Sequence, residues 1–126
     1  MDWFKLYNDH YGHQAGDECL RQIARVLALT VCRTGDLVAR YGGEEFVFIA
    51  PVTDASAALM MAERVCQSLQ ALALPHAESE FGVVTISIGV AVMVPEGWVL
   101  PEVLVSAADK ALYLAKKQGR NQVLLA

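Results

Sequence analysis

The sequence predicts a single α+β domain, and three observations support that prediction. The chain has 126 residues, close to the commonest size of one domain. Hydrophobic residues make up 55% of it and charged residues 19%, a balance that excludes intrinsic disorder and favours a sheet largely covered by helices. Segments with helical periodicity alternate with short segments rich in Val, Phe and Ile. We therefore expect one compact hydrophobic core.

Three segments have the apolar spacing of amphipathic helices. The first covers residues 17–32, where an apolar stripe lies opposite a charged one. The second begins after Thr53 and Asp54, which are good capping residues. The third begins at Pro101, a residue suited to a first helical turn, and ends near Gly119 with a basic last turn.

Four shorter segments predict strands. Residues 36–41 and 45–50 predict a hairpin, with Gly42 and Gly43 between them. Residues 83–94 predict a further strand or pair of strands, and residues 121–125 a short closing strand. Preceded by one strand before Met1, this order would give the βαββαβ core of ferredoxin-like and nucleotidyl-transferring palm domains.

Composition also excludes several classes of function. The net charge is −4 and the sequence has no basic tract, which argues against a nucleic-acid partner. The longest uncharged stretch, residues 81–95, is shorter than the roughly 20 apolar residues of a membrane span. With no signal peptide at the start, we expect a cytoplasmic location, either free or on the cytoplasmic side of a membrane. Cys19, Cys32 and Cys66 form no CxxC pair and are expected to be reduced core residues.

Residues 40–46 contain the candidate chemistry, because Gly42, Gly43, Glu44 and Glu45 fall at the tip of the predicted hairpin. Glycine there lets a ligand approach the backbone closely. Adjacent strand residues point to opposite faces, so one carboxylate can serve a metal while the other has a different role. From these residues alone, a glycine hairpin with solvated acids remains an equal alternative.

At this motif the chain resembles the GGDEF family of diguanylate cyclases, in its GGEEF variant. The resemblance covers residues 1–126. Besides the motif, five segments match in order, namely residues 2–5, 8–13, 16–17, 85–90 and 113–121. It implies an enzyme that joins two GTP molecules into cyclic di-(3′→5′)-GMP and releases two pyrophosphates. Because each subunit would hold one GTP, it also implies a homodimer.

The resemblance assigns roles to the motif residues. Glu44 is expected to be catalytic and to ligate Mg²⁺ or Mn²⁺, which would help activate the attacking 3′-hydroxyl. Glu45 would support the hairpin and the metal site less directly. Gly42 and Gly43 would lie against the nucleotide.

Substrate-binding residues follow from the same resemblance. Asn8 and Asp17 match positions that hold the base, where a carboxylate accepts from the N–H donors of guanine. Lys116 and Arg120, four apart and expected on one face of the last helical turn, match positions that bind the triphosphate, and Lys5 matches another lysine near the phosphates. Without the resemblance, Asp17 indicates a helix cap, Asn8 a turn, and the basic pair a complement to the helix dipole.

A second site is implied by Arg33 and Asp36, which form an RxxD motif shortly before Gly42. At this spacing the pair matches the family's inhibitory site, where the product binds as an intercalated dimer. Arg64 matches an additional arginine that completes that site. In isolation an RxxD sequence is more typical of a surface ion pair.

The start of the chain departs from the family pattern. Asp2 matches the second Asp of an Asp-x-Asp sequence, so the first would lie upstream of Met1. We therefore expect a domain without its first strand. We expect a metal site formed by Glu44, the Met1 carbonyl and an upstream Asp. We also expect an upstream sensory or receiver domain. Two alternatives to a cyclase remain: a cyclic di-GMP receptor acting through Arg33 and Asp36, and a GTP-binding regulatory domain.

Overall fold

The computed structural model describes residues 1–30 and 33–126, and these residues form an α+β domain. Helices pack on two small sheets, which confirms the predicted fold class. The elements, in chain order, are α1 (Phe4–Tyr11), α2 (His13–Thr30), β1 (Leu37–Gly42), β2 (Glu45–Ile49), α3 (Ala55–Ala71), β3 (Ile88–Val90), α4 (Pro101–Lys117) and β4 (Val123–Leu125).

Each sheet consists of two strands among the residues that are described. β1 and β2 form an antiparallel hairpin in which Leu37 pairs with Ile49, and the register shifts between Arg40 and Gly42. β3 and β4 are parallel and are connected through α4. Parallel strands need such a crossover, so β3, α4 and β4 form a βαβ unit.

The N-terminal residues connect the hairpin to the segment that leads into β3. The backbone nitrogen of Met1 donates to the carbonyl of Glu44 at 3.3 Å. The backbone N–H of Asp2 donates to the carbonyl of Thr85 at 3.0 Å. Met1 and Asp2 therefore lie between the glycine-rich turn and residues 83–88.

The core is formed by the apolar faces of α2 and α3 against the segment before β3. Asp54 caps α3 as predicted, because its side chain accepts the N–H of Ala57 at 2.8 Å. Phe46 and Phe48 of the hairpin pack against the same core. Its buried members are Cys19, Leu20, Ile23, Leu27, Val65, Leu69, Val84 and Ile86.

Two element predictions are wrong. The sequence did not predict α1, and the next helix begins at His13 rather than at residue 17. Of the predicted strand 83–94, only Ile88–Val90 forms a strand. The residues before it bond to other segments: the N–H of Val84 donates to the carbonyl of Leu74 at 2.8 Å, and the carbonyl of Thr85 accepts from the N–H of Asp2. The predicted end of the first helix, residues 31–32, lies outside the described residues.

The cysteine prediction is confirmed where the structure describes it. Cys19 and Cys66 are free thiols, and Cys19 is buried in the core. Burial raises the pKa of the Cys19 thiol to about 11 and that of Cys66 to about 12. Cys32 lies outside the described residues. None of the helices in the described ranges has the length and hydropathy needed to cross a membrane.

Candidate active site

The glycine-rich tip of the hairpin is an open surface. Gly43 and Glu44 form the turn between β1 and β2, and Gly43 has a φ of 53°, a conformation that favours glycine. The side chain of Arg40 donates to the carbonyl of Gly43 at 2.8 Å and holds the turn. A Cβ built at Gly42 or Gly43 would meet no protein atom within 4 Å. Packing within the described part of the protein therefore does not require glycine at position 42.

The two motif acids, Glu44 in the turn and Glu45 at the start of β2, differ in burial. Glu44 is half-buried beside Met1, whereas Glu45 is exposed. The residue after Met1, Asp2, accepts the backbone N–H of Asn121 in the turn after α4. The hairpin tip and the turn after α4 therefore converge on the first two residues.

Asp2 is the residue of this region whose role sequence reasoning missed. Its side chain is 1% exposed and accepts three hydrogen bonds. The donors are the hydroxyl of Thr85 at 2.9 Å, the hydroxyl of Ser87 at 2.7 Å and the backbone N–H of Asn121 at 3.1 Å. One signal in the sequence could have indicated this role. Asp2 lies in one of the segments that match the family, and its partners Thr85, Ser87 and Asn121 lie in two others.

The predicted base-binding residues lie around the junction of α1 and α2. Asn8 is in the last turn of α1, and Gly12 ends that helix with a φ of 90°. The Oδ1 atom of Asn8 is buried without a hydrogen-bond partner in the described part of the chain. A Cβ at Gly16 would overlap the Asn8 side chain, so Gly16 gives it room. Asp17 is exposed within α2, beyond its first turn, and is not the helix cap that its sequence alone indicates.

The predicted triphosphate-binding residues are not on one helical face. Lys116 is in the last turn of α4, which ends at Lys117. Arg120 follows in a left-handed turn with a φ of 63°, and its backbone N–H donates to the carbonyl of Ala115 at 3.0 Å. The expectation that the i, i+4 spacing aligns Lys116 and Arg120 is therefore wrong, because the helix ends between them. Lys5 is exposed in the first turn of α1.

The arrangement is a glycine-rich hairpin with one half-buried acidic residue, together with one basic residue in the last turn of a helix and another in the turn that follows it. A family model described as "Diguanylate cyclase, GGDEF domain" matches residues 1–122. The chain belongs to the GGDEF domain family. This confirms the resemblance on which the site residues were assigned.

Individual relatives agree with the family assignment. The chain is 46% identical to the response regulator PleD of Caulobacter vibrioides over 98% of its length, and it spans 27% of that protein. It superposes with a TM-score of 0.86 and 32% identity on the coiled coil and GGDEF domain of DgcB from Caulobacter crescentus, a structure in complex with c-di-GMP. That match covers 99% of this chain and 65% of the other. An active GGEEF domain of a diguanylate cyclase from Vibrio cholerae gives a TM-score of 0.82 at 31% identity, covering 98% and 76%.

The Arg and Asp of the RxxD motif in this GGDEF domain form an ion pair with each other. Arg33 donates through Nε to Asp36 at 3.1 Å and through a terminal nitrogen at 3.0 Å, and it donates to the hydroxyl of Thr53 at 2.6 Å. The hydrogen bonds from Arg33 lower the pKa of Asp36 below its ordinary value. Arg64 is on α3, where it lines a groove of about 430 Å³ between α2 and α3.

The donors near the hairpin tip are of the kind that Mg²⁺ prefers. In residues 1–30 and 33–126 no three His, Cys, Asp or Glu side chains cluster as a metal site. Glu44 carries a carboxylate, and its main-chain carbonyl accepts from the Met1 nitrogen, so the two residues are neighbours. Magnesium is commonly held by one or two carboxylates together with substrate phosphates, so this donor set fits the ion with a bound nucleotide.

Proposed function

We propose that this chain is a diguanylate cyclase domain that condenses two GTP molecules into cyclic di-(3′→5′)-GMP. In each of two equivalent steps, a 3′-hydroxyl attacks the α-phosphate of the other nucleotide. A phosphodiester bond forms, the bond to the β-phosphate oxygen breaks, and pyrophosphate leaves. Each domain would hold one GTP, so the active form would be a homodimer.

The observation that carries this proposal is the convergence of the hairpin tip and the turn after α4 on Met1 and Asp2. Met1 bonds to Glu44 at the hairpin tip, and Asp2 bonds to Asn121 directly after Arg120. Glu44, whose carboxylate can hold a metal, and Arg120, whose cation can bind phosphates, therefore lie next to the same short segment. Phosphoryl transfer requires this combination of positioning and charge neutralisation.

Each part of the site has a separate task in the proposed reaction. Asn8 and Asp17 would hold guanine, since the Asp17 carboxylate can accept from guanine N–H groups that adenine lacks. Lys116, Arg120 and Lys5 would bind the triphosphate. The open backbone at Gly42 and Gly43 would let the nucleotide lie against the hairpin.

Glu44 and the Met1 carbonyl would hold Mg²⁺ or Mn²⁺ together with the phosphates. The ion would neutralise charge on the reacting oxygens and lower the pKa of the attacking hydroxyl. Glu45, which is exposed, would support the site only indirectly.

Incubation of the protein with GTP and Mg²⁺, followed by chromatography, tests the proposal. Cyclic di-GMP and pyrophosphate should accumulate in a 1:2 ratio, and chelation of the metal should stop both. ATP in place of GTP should give no cyclic product. Absence of cyclic di-GMP at micromolar protein concentrations, where dimers can form, would contradict the proposed activity.

A second candidate function is a cyclic di-GMP receptor, and the Arg33–Asp36 pair favours it. The arginine fork can donate to guanine O6 and N7, while Asp36 can accept from the Watson–Crick edge. In a cyclase the same site would give product inhibition, completed by Arg64. Calorimetric titration with cyclic di-GMP tests this function independently of synthesis, since binding without synthesis would favour the receptor.

A further inference from the structure

We propose that Trp3 is a positioning residue for Arg120, an inference that rests on the proposed binding of the GTP triphosphate by Arg120. The guanidinium carbon of Arg120 lies 4.6 Å from the centre of the Trp3 ring. Arginine over the face of tryptophan is the most favourable protein cation–π arrangement. No motif identified in the sequence assigns a role to the Trp3 side chain.

Trp3 is held through its ring and through its backbone. The ring also contacts Phe81, with ring centres 5.9 Å apart. The backbone of Trp3 is left-handed, with a φ of 49°, and its carbonyl accepts from His76 at 3.3 Å. His76 is fully buried. The ring therefore has a fixed place on which a flexible arginine can be ordered.

The backbone of Arg120 is held equally well. Arg120 and Asn121 both have positive φ, at 63° and 46°. Two hydrogen bonds fix this strained turn. The N–H of Arg120 donates to the carbonyl of Ala115, and the N–H of Asn121 donates to the Asp2 carboxylate. Asp2 and Trp3 are consecutive residues. Asp2 fixes the backbone of the turn, and Trp3 contacts the guanidinium end of the Arg120 side chain.

The N–H donors of Arg120 remain available to an anion. The contact places the guanidinium carbon over the Trp3 ring, and a cation–π contact does not use up the N–H donors, which lie in the guanidinium plane. Among the residues that are described, no carboxylate is within ion-pair distance of Arg120. Ordering the side chain before binding reduces the entropy lost when the phosphates bind.

Kinetics of Trp3 variants test the proposal. Trp3→Leu should raise the KM for GTP about tenfold with a smaller change in kcat, and Trp3→Phe, which keeps an aromatic face, should recover most of the loss. The matched control is Tyr113→Leu, which removes the cation–π contact of Lys117 at 5.0 Å from the same helix end and should leave KM unchanged. An unchanged KM in Trp3→Leu, with synthesis intact in the parent, would overturn the role of Trp3 and leave the proposed function standing.

A spectroscopic measurement separates positioning from mere packing. The chain has two tryptophans, and Trp98 is 81% exposed, so Trp98→Phe leaves Trp3 as the only indole. In that background GTP should change Trp3 emission, guanosine should not, and Arg120→Met should abolish the response. If the parent makes no cyclic di-GMP but shows this response, the inference holds and the proposed activity fails. If GTP gives no Arg120-dependent response, the inference is wrong.

Discussion

The carboxylate of Asp2 accepts the backbone N–H of Asn121 at 3.1 Å, across 119 positions of sequence. The same side chain accepts the hydroxyls of Thr85 and Ser87. One buried carboxyl group thus joins the N-terminal segment, the segment that leads into β3 and the turn after α4. These three segments border the proposed phosphate and metal sites, so the fold and the site share this contact.

Asp2→Ala should therefore reduce stability strongly. It leaves the Asn121 N–H and two hydroxyls without their acceptor, and we expect a loss of about 2 to 4 kcal/mol in the free energy of unfolding. Asp2→Asn should lose less, because its amide oxygen still accepts. Urea unfolding measures both, with exposed Asp9→Ala as control. Equal stability of Asp2→Ala and Asp9→Ala would contradict the role of Asp2.

Long-range contacts of this kind could not be predicted from the sequence. The two long helices α3 and α4 and the hairpin were predicted because periodicity, caps and glycines are local signals. Helix α1 was not, because it has eight residues, no side-chain cap and an Asn that is typical of turns. The aromatic spacing of Phe4, Tyr7 and Tyr11 was the signal available for it.

The candidate site was predicted residue by residue only through the family resemblance. Spacing placed Lys116 and Arg120 on one helical face, but α4 ends at Lys117 and Arg120 belongs to a left-handed turn. The error concerns where a helix ends, and tertiary packing decides that.

Glu44→Gln should abolish cyclic di-GMP synthesis, with a loss of about a hundredfold or more, because the amide is a poor ligand for Mg²⁺. The fold should remain, since Glu44 is at a hairpin turn and makes no core contact. Chromatographic rate measurement and thermal unfolding check both statements. Exposed Glu45→Gln is the matched control and should retain more activity. A Glu44→Gln rate within about tenfold of the parent would exclude the proposed role.

Gly16→Ala should weaken GTP binding through Asn8, because the new Cβ would overlap the Asn8 side chain. A displaced amide leaves its guanine partner unpaired, which costs about 1 to 3 kcal/mol. Stability should change little, since alanine favours the helix while the overlap opposes it. Calorimetry with GTP provides the measurement, and exposed Gln14→Ala on the same helix is the control. Identical affinities of the two variants would exclude Asn8 from base binding.

Arg33→Ala should relieve inhibition by cyclic di-GMP without lowering the initial rate, since the RxxD pair is separate from the hairpin tip. Arg33 keeps the pKa of Asp36 below its ordinary value, so the carboxylate is an acceptor throughout an assay range of about pH 6 to 9. A guanine that enters the pair must replace the two hydrogen bonds between the side chains of Arg33 and Asp36 and the one from Arg33 to Thr53. Inhibition should therefore need both residues, and Asp36→Asn should weaken it as well.

The contact with Thr53 offers a control within the same network. Thr53→Val removes only the hydroxyl that accepts from Arg33 at 2.6 Å and leaves the Arg33–Asp36 fork in place. Because Arg33 then has one partner fewer to give up, product inhibition should persist or strengthen in this variant. Progress curves with added cyclic di-GMP distinguish the cases. If Arg33→Ala and the parent are inhibited equally, the pair is a surface ion bridge and the inhibitory site lies elsewhere.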